Sequence, residues 1–277
     1  MNYKHSYHAG NFADVFKHWV LMLSIQQMQQ KEAPFVYIDT HAGSGIYDLS
    51  SEFSKKTNEA ELGIKALWSS KIDLTASLQD YLKLIKNLPH NAKKLCCYPG
   101  SPMLVQNLLR PNDQILLNEL QPSEAASLKK RFHNDMRARV YSQDAYQWLL
   151  SVIPPKLKRG LVLIDPPYEQ STEYEQLLKL LTHALKRWQN GSYMIWYPLT
   201  KNHKFSQFYQ AVKKLVPNDT LNVQLSIYEA DSPLGLNGSG MLFVNPPWQL
   251  AEQIQTGIQP LWEVLSPSKK GRWNVEF

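Results

Sequence analysis

The chain has 277 residues, a length that fits one large α/β domain or one domain that carries an insertion. Hydrophobic residues make up 43% and charged residues 19%, which excludes a disordered chain and allows a sizeable buried core. Thirty Lys and Arg against twenty-four Asp and Glu give a net charge of +6, which favours a polyanionic partner but equally fits a mildly basic enzyme without one.

Cysteine and histidine usage and the apolar pattern bear on location and metal binding. No run of eighteen apolar residues is present, so we expect no membrane partner, and the first ten residues lack the apolar stretch of a secretory signal. The two cysteines are adjacent, and His5, His8, His18 and His41 lack compact ligand spacing, so we expect no metal site. This cysteine usage favours a reducing, cytoplasmic location.

The first expected element is a helix over residues 12–30 with Asn11 as its N-cap. Its apolar side chains recur at helical spacing, which predicts a stripe that faces the core. The stripe consists of Phe12, Val15, Phe16, Trp19, Val20 and Leu23. Residues 34–39 then form a short expected strand, which ends in the polar, glycine-rich turn of residues 40–47.

Residues 49–98 differ in character from the rest of the chain. They contain no clear strand, and residues 61–68 and 78–88 have helical periodicity. We therefore expect a helical insertion subdomain within a single domain that spans residues 1–277. Ser101 follows it, near the start of the next expected helix.

From residue 114 onwards, expected strands alternate with expected helices. The strands are expected at residues 114–120, 138–144, 160–165, 191–198, 222–230 and 240–245. The helices are expected at residues 123–136, 145–153, 174–188 and 204–216. This alternation predicts an α/β fold with a mainly parallel sheet, and the last two strands predict an antiparallel edge hairpin.

Four of the expected strands end in an acid, and ligands of open α/β sheets bind at the carboxyl ends of the strands. These acids are Asp39, Glu119, Asp144 and Asp165. Glu119 fits a carboxylate that accepts hydrogen bonds from the two ribose hydroxyls of a nucleotide, or else a solvated acid. Asp144 fits an acceptor for an adenine amino group and fits a cap of the following helix equally well.

The turn after the first strand contains Gly43 and Gly45, which let the backbone approach a ligand closely because neither has a Cβ. The third glycine of the dinucleotide fingerprint is absent, which disfavours a dehydrogenase. A plain strand-to-helix turn is the alternative interpretation.

The apolar strand at residues 160–164 leads into Asp165-Pro166-Pro167-Tyr168. The lone pair of an adenine N6 is delocalised into the ring, so this amine is a poor nucleophile. A carboxylate that accepts one N–H, with the Pro166 carbonyl accepting the other, makes the lone pair available, and the prolines hold that carbonyl in place. Tyr168 offers a flat face to an extruded base. The alternative is a rigid turn without chemistry.

A similar pattern occurs at Asn245-Pro246-Pro247-Trp248, near the C-terminus. It comes after all the expected central strands of the sheet. The Asp165 turn instead comes directly after the three strands that end in Asp39, Glu119 and Asp144. We therefore expect the Asp165 turn to be reactive and the Asn245 turn to be a structural turn at the edge of the sheet.

Several strings of the sequence together resemble one known family. They are residues 3–18, 37–47, 97–102, 117–124, 159–169, 195–198 and 239–248. They resemble the RlmJ family of 23S rRNA adenine-N6 methyltransferases, and the likeness spans essentially the whole chain. It implies a Rossmann-like class I methyltransferase fold that uses S-adenosyl-L-methionine. It also implies methylation of a specific adenine (an A2030-type position) in naked 23S rRNA or an early large-subunit assembly intermediate.

The resemblance also implies roles for particular residues, and we expect a monomer. The expected cofactor contacts are His18, His41, Gly43, Ser101, Glu119, Asp144, Ala145 and Asp165. The expected catalytic residues are Asp165, Pro166 and Tyr168, and the expected substrate RNA contacts are Tyr3, His5 and Lys17. For His18, a histidine packed under the first strand is the alternative. The sequence departs from the family pattern at Ser44 and Ala145, where Ala and Gly are expected, so Ala145 is a backbone contact at best.

Two other functions stay open at this point. A DNA N6-adenine methyltransferase shares the chemistry, but no target-recognition domain for duplex DNA is evident. A non-catalytic RNA-binding protein of the same fold is disfavoured by the intact turn at residues 165–168. Basic clusters at residues 129–131 and 269–272 fit contacts with an RNA backbone or ordinary solvated surface.

Overall fold

In a computed structural model of the chain, the structure describes residues 5–201, 204–229, 232, 235–266 and 268–277. The α-helices are α1 (Phe12–Met28), α2 (Glu52–Thr57), α3 (Ile64–Trp68), α4 (Ala76–Lys86), α5 (Ser101–Leu108), α6 (Pro122–Phe132), α7 (Ala145–Val152), α8 (Glu173–Arg187), α9 (Lys204–Leu215) and α10 (Leu250–Leu265). The strands are β1 (Val36–Asp39), β2 (Ile46–Asp48), β3 (Cys97–Pro99), β4 (Gln114–Asn118), β5 (Ala138–Tyr141), β6 (Gly160–Ile164), β7 (Ser192–Leu199), β8 (Thr220–Ser226), β9 (Gly238–Val244) and β10 (Trp273–Glu276).

The main sheet has eight strands among the described residues, in the order β10-β8-β9-β7-β6-β1-β4-β5. The five strands from β7 to β5 are parallel, and β1 lies between β4 and β6 with Val36 opposite Gln114 and Gly160. Strand β9 runs antiparallel to both of its neighbours, β7 and β8. The prediction of a mainly parallel sheet with an antiparallel hairpin is confirmed, and β10, which pairs with β8, is an additional edge strand that the sequence did not indicate.

Helix α1 confirms the prediction made for the first helix. The Asn11 side chain accepts a hydrogen bond from the Asp14 N–H at 2.9 Å, and the six residues of the predicted stripe are buried. Helices α1, α5 and α10 pack on one face of the sheet, around Phe16 and Trp19. Helices α7, α8 and α9 cover the other face, so the parallel strands are apolar on both sides.

Strands β2 and β3 form a separate antiparallel pair that brackets the helices α2, α3 and α4. Tyr47 of β2 lies opposite Tyr98 of β3, so the segment between these two strands begins and ends at neighbouring positions. Helix α4 packs against α1. The helical residues between the two strands are therefore joined to the domain at the same end of the sheet as the turn after β1.

In the described part of the chain, no helix is both long enough and apolar enough to cross a bilayer.

Candidate active site

A cavity of about 420 Å³ lies where β1, β4 and β6 end. Its walls come from α1, the turn after β1, the start of α5 and the loops after β4 and β6. Its lining residues include His5, Asp14, Lys17, His18, His41, Gly43, Tyr47, Ser101, Glu119, Asp165, Pro166, Pro167 and Trp196. Six of the eight expected cofactor residues line this cavity, namely all except Asp144 and Ala145.

The turn after β1 brings its backbone close to the cavity. Gly43 and Gly45 have φ angles of +63° and +90°, which residues with a Cβ rarely adopt. A Cβ on Gly43 would lie 2.1 Å from the Tyr47 hydroxyl oxygen. The backbone angle and the lack of space for a Cβ therefore both require a glycine at position 43.

Glu119 lies beside this turn, at the end of β4. Its Oε2 accepts the Gly43 N–H at 2.8 Å, and its Oε1 accepts the Gln121 N–H at 2.8 Å. Burial raises the pKa of this carboxyl above its ordinary value. Each oxygen keeps a further lone pair, so the carboxylate can accept hydrogen bonds from two vicinal hydroxyls.

Asp39 is fully buried behind the cavity wall. It accepts hydrogen bonds from the Tyr37 hydroxyl at 2.8 Å, the Ser101 hydroxyl at 2.7 Å and the His41 backbone N–H at 3.2 Å. Burial raises the pKa of Asp39 to about 6 despite these three donors. This acid therefore positions Ser101 and His41, a role that the sequence did not reveal.

The two histidines of the expected cofactor site are neutral at pH 7. Burial lowers the pKa of His41 to about 4 and that of His18 to about 3. His41 Nδ1 pairs with the Thr40 hydroxyl at 2.8 Å, and His18 Nδ1 pairs with the Tyr98 hydroxyl at 2.8 Å. Both side chains line the cavity, and His18 is also buried, at 2% exposure.

The Asp165 turn forms the opposite wall. Lys17 Nζ lies 2.6 Å from Asp165 Oδ2 and 2.9 Å from Asp14 Oδ1, and its side chain is only 6% exposed. Burial lowers the pKa of Lys17, but the carboxylates of Asp14 and Asp165 raise it above its ordinary value. Lys17 was expected to contact RNA, and the structure shows its charge already paired with these two acids.

Tyr168 occupies the last position of this turn with a φ of +52°. Its hydroxyl donates to the Trp196 carbonyl at 2.6 Å, and its ring packs against Tyr174 and Trp196. Pro166 and Pro167 line the cavity, whereas Tyr168 is not among the described residues that do so.

The remaining expected residues do not share one position relative to the cavity. Asp144 caps α7 by accepting the Gln147 N–H at 3.0 Å, which supports the capping interpretation, and neither Asp144 nor Ala145 belongs to the described lining. His5 lines the cavity and pairs with Asp14 at 2.9 Å. Tyr3 lies outside the described residues.

Trp196 and Asp14 are lining residues that the sequence analysis missed. The Trp196 indole N–H donates to the Ser239 hydroxyl at 2.8 Å, and Lys17 Nζ lies 5.7 Å from the ring centroid. The signal available for Trp196 was an aromatic residue on β7, the strand beside β6. No sequence signal was available for Asp14, because its role depends on contacts made after folding.

The Asn245 turn lies at the opposite edge of the sheet, because β9 runs antiparallel to β6 and β7. Asn245 Nδ2 donates to the carbonyls of Gln189 at 2.7 Å and Gly191 at 2.9 Å, just before β7 begins. Trp248 is 76% exposed. These contacts are those of a structural turn, as the sequence predicted.

Within the ranges that the structure describes, no three His, Cys, Asp or Glu residues are grouped to hold a metal ion.

Known proteins resemble the chain along its whole length. A family model described as ribosomal RNA large subunit methyltransferase D, RlmJ, matches residues 32–277. Two curated relatives, both called ribosomal RNA large subunit methyltransferase J, cover 100% of this chain and 98% of their own length. The Haemophilus influenzae protein is 39% identical over 277 residues, and the Escherichia coli protein is 37% identical.

A solved structure of a Legionella pneumophila protein has a TM-score of 0.88 and 31% identity, and the match covers 97% of this chain and 98% of that chain. The α/β fold with its mainly parallel sheet is thus shared with a solved relative. Together with the family match, this similarity shows that the chain belongs to the family of ribosomal RNA large subunit methyltransferases D, RlmJ.

Proposed function

We propose that this protein transfers a methyl group from S-adenosyl-L-methionine to the N6 amino group of a specific adenine in 23S rRNA. The substrate would be naked rRNA or an early large-subunit assembly intermediate. The observation that carries the proposal is the Asp165-Pro166-Pro167 turn, which faces the same cavity as Glu119 and the Gly43 turn in a chain of the RlmJ family.

The cavity fits the cofactor in its chemistry. Glu119 has two oxygens available for ribose hydroxyls, and the Gly43 turn leaves the space that a Cβ would fill. His18, His41 and Ser101 supply polar groups along the same wall. When bound, S-adenosyl-L-methionine supplies an electrophilic methyl group on a sulfonium. Asp144 and Ala145 would join this set only through contacts that the cavity lining does not contain.

Asp165 and Pro166 would activate the adenine amine. Lys17 occupies Asp165 Oδ2 at 2.6 Å, which leaves Oδ1 to accept one N6–H. The Pro166 carbonyl accepts the other N6–H, and the adjacent proline rings keep that carbonyl in place. The nitrogen would then be drawn towards a tetrahedral form, which makes its lone pair available for methylation. The Asp165 carboxylate would stabilise the positive charge that develops on nitrogen, and it would accept the proton that N6 loses.

Aromatic residues flank the place where the adenine would lie. Tyr168 is held by its hydrogen bond to the Trp196 carbonyl, and the Trp196 ring lines the cavity. An extruded base would stack on such faces, which tolerate any base and therefore give affinity more than sequence specificity. His5, which lines the cavity, would contact the RNA, and Tyr3 is a further proposed RNA contact.

A methyl-transfer assay tests the proposal. The protein would be incubated with labelled S-adenosyl-L-methionine and deproteinised rRNA from cells that lack the enzyme. We expect label in N6-methyladenosine of 23S rRNA, and no label with Asp165→Ala, which removes the carboxylate and leaves Asp14 as the ion-pair partner of Lys17. Equal labelling of competing DNA would favour a DNA methyltransferase, and failure to bind S-adenosyl-L-methionine by calorimetry would favour a non-catalytic RNA-binding protein.

We further propose that the protein acts in the cytoplasm as a monomer and without a metal ion. A single mass near 32.0 kDa by light scattering supports the monomer, and activity that survives dialysis against a chelator supports metal independence.

A further inference from the structure

Three buried side chains form a hydrogen-bonded chain that ends at the cavity. Tyr81 of α4 and Tyr98 of β3 are joined through their hydroxyls at 2.8 Å. Tyr98 OH is in turn joined to His18 Nδ1 of α1 at 2.8 Å. Both tyrosines are fully buried, and His18 is 2% exposed. The chain thus connects the helices between β2 and β3 with the wall of the cavity.

The direction of these hydrogen bonds follows from the donors present. Among the described residues, the Tyr98 hydroxyl oxygen is the acceptor within reach of the Tyr81 hydroxyl. If Tyr98 donated to Tyr81, the Tyr81 hydrogen would be left in the protein interior without an acceptor, which is strongly disfavoured. Tyr81 therefore donates to Tyr98, and the hydrogen of Tyr98 is directed to His18 Nδ1.

A histidine that accepts at Nδ1 carries its hydrogen on Nε2 when it is neutral. Burial keeps the His18 ring neutral at pH 7. No hydrogen bond from Nε2 to a described residue is formed, and Nε2 is not among the buried atoms without a partner, so it borders the cavity that His18 lines.

We infer that Tyr98 is a positioning residue that holds His18 as the Nε2–H tautomer, so that it donates a hydrogen bond to the bound cofactor. This inference rests on the proposed function, which places S-adenosyl-L-methionine in the cavity. An Nε2–H group recognises an oxygen acceptor such as the carboxylate of the amino-acid part of the cofactor. It cannot accept a hydrogen bond from the ammonium group, so the tautomer selects the orientation of that part.

The tautomer can be read without any methyl transfer. Nitrogen-15 NMR of protein labelled in its histidine rings distinguishes Nδ1–H from Nε2–H through their chemical shifts, and the His18→Gln variant identifies the His18 signals. We expect Nε2–H in the unliganded protein. A wild-type His18 that carries its hydrogen on Nδ1 overturns the inference, even if the protein proves to be an active methyltransferase.

Variants test the two tyrosines separately. In Tyr98→Phe, His18 loses the donor at Nδ1, so we expect a mixture of tautomers and a Kd for S-adenosylhomocysteine about tenfold higher. In Tyr81→Phe, Tyr98 still donates to His18, so we expect the Nε2–H tautomer and a Kd within threefold of wild type. A changed tautomer in Tyr81→Phe would mean that Tyr98 does not donate to His18 in the way argued above, and this result overturns the inference.

Tyr193→Phe is the matched control. Tyr193 is equally buried, and its hydroxyl donates to the Trp188 carbonyl at 3.0 Å on the other side of the sheet. We expect this variant to change neither the His18 tautomer nor the Kd. If Tyr98→Phe behaves like Tyr193→Phe in both measurements, Tyr98 is merely structural and the inference fails.

Discussion

The turns Asp165–Tyr168 and Asn245–Trp248 have almost the same form, since each follows a buried strand and joins a polar residue, two prolines and an aromatic residue. They lie at opposite edges of one sheet. The first follows β6, whose carboxyl end borders the cavity. The second follows the antiparallel strand β9 and packs against the residues that precede β7. The comparison teaches that strand direction, and not the local motif, decides which turn borders the cavity.

The surroundings of the two polar residues differ in the same sense. Asp165 faces the cavity and has a lysine ammonium at 2.6 Å. Asn245 uses its amide hydrogens to bind two backbone carbonyls. The Asp165 carboxylate therefore faces the cavity, whereas the Asn245 amide satisfies backbone carbonyls at the other edge of the sheet.

The largest expected effect comes from Asp165→Asn. The amide keeps the shape of the side chain but removes the charge that stabilises the developing positive nitrogen, so we expect kcat to fall about 10³-fold. Steady-state kinetics of methyl transfer to rRNA, with circular dichroism to verify the fold, measures this. Activity within tenfold of wild type would contradict the proposal that the Asp165 turn, unlike the Asn245 turn, takes part in methyl transfer.

The matched exchange at the other edge is Asn245→Asp. A carboxylate would face the carbonyl oxygens of Gln189 and Gly191 without a hydrogen to donate, so we expect the free energy of unfolding to fall by about 1–3 kcal/mol. Methyl transfer per folded molecule should be unchanged. Loss of methyl transfer in folded Asn245→Asp would instead indicate that the Asn245 turn takes part in catalysis, which contradicts the account.

The aromatic residues of the turns sharpen the comparison. We expect Tyr168→Ala to lower kcat/KM for RNA by about 10- to 100-fold, because a stacked base loses about 1–3 kcal/mol of interaction. Trp248→Ala should change neither kinetics nor stability, because Trp248 is 76% exposed. Equal losses in the two variants would contradict the proposed position of the adenine.

Lowering the pH should reduce the free energy of unfolding through protonation of His41, which lies in the turn after β1. Its folded pKa, about 4, lies below the unfolded value of 6.5, so the unfolded state binds more protons between these values and stability falls as the pH falls from 6.5 to 4. Asp39, with a pKa of about 6, acts in the opposite direction over the same interval. The informative quantity is therefore the difference between wild type and His41→Gln.

Urea unfolding at pH 7 and pH 5 gives this difference. We expect the wild type to lose about 2 kcal/mol more than His41→Gln between the two pH values. Parallel losses in the two proteins would show that His41 is not held in its neutral form by burial.

The smallest expected effect concerns the Gly43 turn. Gly43→Ala forces a Cβ against the Tyr47 hydroxyl at a φ of +63°, so we expect the Kd for S-adenosylhomocysteine to rise about tenfold. At the other edge, Gly191→Ala brings a Cβ within 2.7 Å of the Trp188 ring and should lower stability without changing the Kd. Calorimetric titration of both variants decides whether the two glycines differ in this way.

Much of the fold was predictable because the signals are local. Apolar strands that end in acids located β1, β4, β5 and β6, and helical periodicity located the helices between them. The three-residue strands β2 and β3 carry too little pattern to be recognised, and β10 pairs with β8 only after folding. The order in the sheet likewise follows from long-range pairing, which periodicity does not encode.

The candidate site was predictable where a residue follows directly from the end of a strand or lies in the turn after it, and less so where a role depends on distant contacts. Asp165, Glu119 and Gly43 belong to the first kind. The ion pair of Lys17 joins residues 148 positions apart, and the buried acceptor role of Asp39 needs a serine from another element. Such partners are brought together by packing, so the sequence alone placed Lys17 near the RNA and assigned no role to Asp39.

The most direct test of the difference between the turns is a crystal structure with S-adenosylhomocysteine bound. We predict that the ribose contacts Glu119 and that the sulfur faces the Pro166 carbonyl beside Asp165, with room between them for an amine. A ligand seated beside Asn245, or a protein that binds none, would contradict the account.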